Sequence, residues 1–231
     1  MRAPARAYAR PMWRCALIAM LAAGCAREPS APRVTRWAWE RPEDLRQLPG
    51  DVAFLAATVR VGERVDVRPR QQPLAVAPEA RLTAVVRIEV AAGARLDAAV
   101  RKRIVATARR AAARTAALQI DYDARRSERP FYRALLGDLA AALPQHRLSI
   151  TALASWCLYD PWIDELDMIE EAVPMLFEMG ADSRRVRAAL ASGADFVSPR
   201  CRRSVGVSLA EPLPDGVLAE RRRWLWSARP W

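Results

Sequence analysis

Histidine and lysine are nearly absent: His146 and Lys102 are the single instances in 231 residues. A Ser-His-Asp triad or a histidine metal site therefore has no material, because His146 stands just ahead of a strand-like run and not after one. The nine glycines form no phosphate-cradling loop, and no acidic loop has calcium-ligand spacing, so neither cofactor nor metal is expected. What the chain does have is arginine: Lys plus Arg number 37 against 26 Asp plus Glu, a net charge of +11. That charge is spread along the chain. Its densest stretch, Arg101-Lys102-Arg103 through Arg109, Arg110 and Arg114, shares a helical pattern with the apolar stripe Leu96, Val100, Ile104 and Ala108. It reads as a solvated face, and no nucleic-acid partner is expected. Arginine in place of lysine, with much alanine and proline, fits a GC-rich genome.

Long apolar runs are also missing. Arg2, Arg6, Arg10 and Arg14 precede an apolar run from Cys15 to Gly24, shorter than the roughly 20 residues a spanning helix needs, so the segment reads as a secretory signal. Leu21-Ala22-Ala23-Gly24-Cys25 resembles the lipobox of bacterial lipoproteins, with Ala22 where a branched residue is usual. The resemblance implies lipidation of Cys25, a membrane held through that lipid, and, with Ala26 following, residence at the outer membrane on the periplasmic side. Ordinary secretion is the alternative. The chain then divides into a signal over 1–25, a tether over 26–33 and one domain over 34–231, and loss of the signal lowers the charge to +7.

Eight strand-like runs follow: Val34–Trp39, Val52–Val59, Leu82–Val90, Leu118–Asp123, Leu148–Ser155, Ala172–Phe177, Ser204–Leu209 and Arg223–Ser227. Helical patterns separate several of them. These are Leu96–Arg114, a segment capped by Ser127 with Pro130 in its first turn and ending at Pro144, and Ser183–Ala191. Strands alternating with helices predict an α/β fold, here an irregular, helix-poor (β/α)8 TIM-like barrel. Gly62–Pro78, rich in proline and arginine, reads as a hairpin or an excursion over the mouth. Period-two alternation puts Thr83, Arg87, Glu89, Gln119, Asp121, Asp123, Ser149, Thr151, Ser204, Gly206 and Ser208 inward, and Val86, Ile88, Ile120, Ile150, Val205 and Val207 outward. A sheet with one wet face would produce the same alternation. Asp164, Glu165, Asp167, Glu170 and Glu171 read as solvating a connection.

Four segments carry a wider resemblance: Trp37–Glu43, Leu118–Asp123, Leu148–Trp156 and Cys201–Gly206. Together they are similar to an uncharacterised bacterial family, domain of unknown function 3142, across nearly all of the mature chain. A more distant resemblance is to chitinase-like TIM-barrel glycosidases, whose fourth strand carries D-x-x-D-x-D-x-E and sixth strand M-x-Y-D. Asp121 and Asp123 match the second and third acids, and Met175-Leu176-Phe177-Glu178 is similar to the sixth-strand motif. Leu118 stands at the first acid and Arg125 at the general acid, which removes that family's substrate-assisted route.

Paired acids at the C-terminal end of a barrel strand sit where loops can surround a substrate. General acid–base work needs two carboxyl groups with pKa values pushed apart. The candidate catalytic residues are Asp121, Asp123 and Glu211, with Glu89 near them. Arg87 either serves the site or neutralises Asp121 in a structural pair, and Glu128 either approaches the site or favours the helix dipole. Trp37, Trp39, Arg87, Glu89, Trp156, Tyr159, Glu178 and Trp226 are candidates for substrate binding, with at least one of Trp39, Trp156 and Trp226 as an aromatic floor. Core packing is the alternative for each tryptophan. Cys157 follows the fifth strand and Cys201 precedes the seventh, at opposite rims, so they are predicted to be unbonded. The sequence thus points to a carbohydrate-active barrel on the envelope, either a glycoside hydrolase relative or a non-catalytic lipoprotein that binds glycan or a partner protein. It leaves the oligomeric state open.

Overall fold

The alternation of small or polar with apolar residues has a definite geometric outcome: strands that close into a barrel, with one set of side chains inside and the other beneath the outer layer. The computed structural model describes residues 34–231. The signal, the tether and Cys25 lie outside the described residues. In chain order the elements are β1 (Val34–Ala38), β2 (Glu43–Leu45), β3 (Asp51–Val61), β4 (Val65–Pro69), β5 (Leu74–Val76), β6 (Leu82–Val90), α1 (Ala98–Ala112), β7 (Ala117–Asp121), α2 (Arg129–Ala142), β8 (Arg147–Leu153), α3 (Ala154–Leu158), β9 (Glu171–Met175), α4 (Ser183–Ala191), β10 (Ser204–Ser208) and β11 (Arg222–Trp226).

Eight of these strands run parallel in the order β1-β11-β10-β9-β8-β7-β6-β3. A pairing from Thr35 with Asp51 to Ala38 with Phe54 joins β3 back to β1. The result is a closed, helix-poor TIM-like barrel. Each strand-like run of the sequence contributes one barrel strand. The outer face is apolar as expected: Val86, Ile88, Ile120, Ile150, Val205 and Val207 form one core with Ile104 of α1, Leu135 and Leu139 of α2, and Val186 of α4.

Helices are missing between β1 and β6, and strands replace them. After β3 the chain turns into β4, antiparallel to it from Val61 with Val65 to Ala57 with Pro69. It then reaches β5, which pairs with β2. Leu45, Leu74 and Val76 from this ribbon cover Ala38, Val52, Phe54 and Leu82, the outer surface a helix would otherwise bury. The Gly62–Pro78 segment is thus a hairpin that goes on to cover the barrel's outer surface, and none of it lines the mouth.

α1 opens on Asp97, whose carboxylate accepts from Ala99 N at 2.9 Å and Val100 N at 3.0 Å. Ser127 does not cap α2. A single 3₁₀ turn over Arg126–Glu128 comes first, and Glu128 accepts the Arg125 N–H at 2.8 Å and the Tyr122 hydroxyl at 2.9 Å.

The prediction that the cysteines stay unbonded is overturned. Cys157 and Cys201 form a disulfide with Cα atoms 5.9 Å apart. The barrel register stands. What fails is the assumption that both residues extend their strands. Cys157 belongs to α3, which starts as soon as β8 ends, while Val197 and Ser198 donate to Cys157 O at 2.9 and 3.2 Å. The approach to Cys201 therefore packs along α3 in the outer layer, where both cysteines are fully buried.

Inside the barrel, Trp37 closes the lumen. Its indole N–H donates to Gln119 Oε1 at 2.8 Å across the barrel, and its ring lies against Gly206, where an added Cβ would sit 2.8 Å from Trp37 Cη2. Glycine is needed there for close approach. The pairing of β9 with β10 is correspondingly thin, a single bridge from Gly206 to Met175 beside Pro174, which has no N–H to give. Below Trp37, Glu171 is buried. It accepts from Ser204 Oγ at 2.7 Å and pairs with Arg222. Glu171 is therefore an interior residue and does not solvate a connection, whereas Glu170 and Asp167 do pair outside, with Arg203 at 3.0 Å and Arg200 at 2.8 Å.

Candidate active site

The strands' C-terminal ends surround a cavity of about 420 Å³. β1 brings Trp37 and Trp39, and β6 brings Arg87 and Glu89. Asp121 closes β7, Asp123 follows two residues on, Thr151 stands in β8, and Met175, Phe177 and Glu178 come from the end of β9. Trp226 comes from β11. Eight sequence candidates are thus brought together: Trp37, Trp39, Arg87, Glu89, Asp121, Asp123, Glu178 and Trp226. The inward faces of period-two strands place them there.

Three candidates lie elsewhere. Trp156 is on α3, buried against Trp162 with ring centres 5.2 Å apart. Tyr159 is exposed, its ring 3.7 Å beneath the Arg185 guanidinium. Glu211 turns from the cavity to Arg187 at 2.8 Å and accepts the Glu178 N–H at 3.2 Å. That last contact bears on the site, because Glu178 has φ of 50°, a left-handed conformation strained for a residue with a side chain. Glu211 fixes the backbone of a cavity residue.

The floor is Trp37. Trp39 and Trp226 stand on the wall, 5.2 Å apart and edge to face, and Phe177 stacks on Trp226 at 6.2 Å with 9° between the planes. Phe177, Met175 and Arg125 line the cavity without having been singled out as site residues. The motif around Met175–Glu178 was the signal that could have found Phe177. Glu128 touches the cavity edge, although its hydrogen bonds serve the turn before α2.

Electrostatics distinguish the acids. Asp121 is buried, and burial raises its pKa above the ordinary 3.8, opposed by the Thr151 hydroxyl donating at 2.8 Å and by Arg87. The Arg87–Asp121 pair is loose at 3.8 Å, while Arg87 lies closer to Glu89, at 3.1 Å. Asp123 faces solvent at the cavity lip, with protein on its other sides. Its pKa is pushed up to about 6, first by that loss of hydration and then by the charge of Asp121. Asp123, Glu178 and Asp182 make no ion pair among the described residues. No group of three or more metal-ligand side chains with metal-holding geometry occurs among the described residues.

One family model, domain of unknown function (DUF3142), matches residues 79–178. This segment belongs to that family. The DUF3142 match runs from just before β6 to just past β9, taking in Arg87, Glu89, Asp121, Asp123, Thr151 and Glu178. Its extent is shorter than the four sequence segments suggested, since Trp37–Glu43 and Cys201–Gly206 fall outside. Neither the curated proteins nor the solved structures provide a match. The chitinase-like likeness therefore rests on Asp121, Asp123 and the Met175–Glu178 motif alone.

Proposed function

We propose that this protein is a carbohydrate-active barrel of the bacterial envelope, a glycoside hydrolase relative in which Asp123 is the proton donor and Asp121 the charged partner. The observation that carries the reading is the aromatic wall Trp39–Trp226–Phe177 beside a carboxyl group whose pKa is pushed to about 6. Flat apolar rings stack on sugar faces, and an acid near neutrality can be held protonated while a nearby carboxylate stays charged. The cavity volume lies within the range of about 300–1,000 Å³ used by small-ligand sites. Six carboxylates and two guanidinium groups line it, which favours a neutral or amine-bearing sugar over a uronic acid.

A second reading, a non-catalytic lipoprotein that binds glycan or a partner at the same mouth, is favoured by Arg87 standing between Asp121 and Glu89. Export agrees with the Cys157–Cys201 disulfide, since such bonds persist in oxidising compartments. Lipidation of Cys25 and an outer-membrane location follow from the lipobox resemblance.

The test is a glycan array probed with the chain from Ala26 onward, followed by a cleavage assay on each glycan retained. Binding with cleavage that Asp123→Asn removes supports the enzyme. Binding without cleavage supports the second reading, and no retention of any neutral or amino glycan removes the enzyme and the glycan binder and leaves the partner-protein form of the second reading.

A further inference from the structure

The barrel's lower rim has an arrangement that the proposed function leaves unused. α1 follows β6 at the mouth and returns to the start of β7, so Arg109, Arg110 and Arg114 lie at its lower end. Arg147 opens β8 beside them: its N–H donates to Ala116 O at 3.1 Å, and His146 Nε2 lies 3.1 Å from Ala112 O. All four arginines are exposed, and none has a carboxylate partner among the described residues.

Their neighbours around the same rim differ. Arg200 meets Asp167 at 2.8 Å, Arg203 meets Glu170 at 3.0 Å, Arg221 meets Asp195 at 2.7 Å, and Arg222 meets Glu171. Exposed arginines without a carboxylate partner thus gather in the sector under β6, β7 and β8; Arg223, at the start of β11, also lacks one but is half-buried, its guanidinium on Val217 O at 3.3 Å. β1 starts at this rim too. Cys25 lies nine residues before Val34, a reach of about 30 Å at full extension.

We propose that this arginine sector docks on an anionic lipid surface, holding the lower rim against the membrane and the cavity mouth away from it. The inference rests on the envelope reading for its setting and on the rim's own charge for its mechanism. Four guanidinium groups within a Debye length of phosphate headgroups attract them without a pocket. The tether is short enough to keep them there.

The experiment uses the chain from Ala26, which retains the whole closed barrel, in co-sedimentation with vesicles of phosphatidylglycerol in phosphatidylcholine and with phosphatidylcholine alone. Binding to the anionic vesicles only, falling as salt rises, is the expected result. Each arginine replaced in R109Q, R110Q, R114Q and R147Q should weaken it about fivefold. A charge-matched control at the mouth end, R64Q, R68Q, R95Q and R126Q, should weaken it far less. Equal partition to neutral vesicles, or equal loss in the two sets, overturns the proposal. Because glycan retention is measured separately, failure of vesicle binding is distinguishable from failure of the envelope-sugar reading.

Discussion

Two carboxylates of the same barrel, one in its lumen and one at its lip, meet opposite treatment. Glu171, below Trp37, is buried with Arg222 and Ser204 on its oxygens, a satisfied pair that anchors β9 to β10 and β11. Asp123, above it, has no ion pair among the described residues and stands beside another acid. Burial alone does not mark a functional acid; lack of compensation does. Glu171 opens β9 inside the lumen, whereas Asp123 stands two residues past the end of β7, so the difference comes from where each lies along the barrel axis.

The largest effect that would sharpen this contrast is in turnover. If Asp123 transfers a proton, Asp123→Asn should lower kcat by about 10²–10⁴-fold on an identified glycan while binding persists. Retained turnover would break the distinction. The same variant has a signature without substrate. Since the folded pKa of Asp123 lies above its ordinary 3.8, at about 6, the folded state binds more protons between these values, and stability falls as pH rises through that window. Asp123→Asn should flatten that fall in denaturant titrations at pH 4 and pH 7.

Next comes the lower acid. Glu171→Ala leaves Arg222 facing an emptied interior and should cost about 3 kcal/mol by urea unfolding, toward the low end for buried pairs because Arg222 is partly exposed. Any glycan binding should survive in the folded fraction. The disulfide comes third: Cys157→Ala with Cys201→Ala should cost roughly 2–4 kcal/mol, as loops of this length do, without moving the pH dependence set by Asp123. Smallest is Glu178→Gly. It relieves the left-handed strain and should raise stability by about 1 kcal/mol while weakening binding at the mouth, a trade-off visible by calorimetry and glycan titration together.

The sequence made the barrel legible because polarity alternates along β6, β7, β8 and β10, and alternation survives whatever lies outside them. It also located the acids, since Asp121 and Asp123 share a parity that continues into the turn. Parity says nothing once the backbone stops being extended. Trp156 shows this: α3 begins at Ala154, each residue then rotates by about 100°, and the ring points outward to Trp162. Cys157, on the same short helix, misled for the same reason. Glu211 follows a chain reversal marked by the Ser208–Glu211 bridge, which carries it to Arg187. β2 and β5 are short and pair across a long stretch of chain, which no local pattern encodes, whereas β4 folds back on β3 through a tight turn.

Trp37 resting on Gly206 has a consequence for what can be accommodated. Among the described residues Trp37 closes the lumen from below, so the mouth is a blind well. A polymer cannot be threaded through the barrel. It must present a terminus, a branch or a bent segment from above, and whatever is released departs by the way it came.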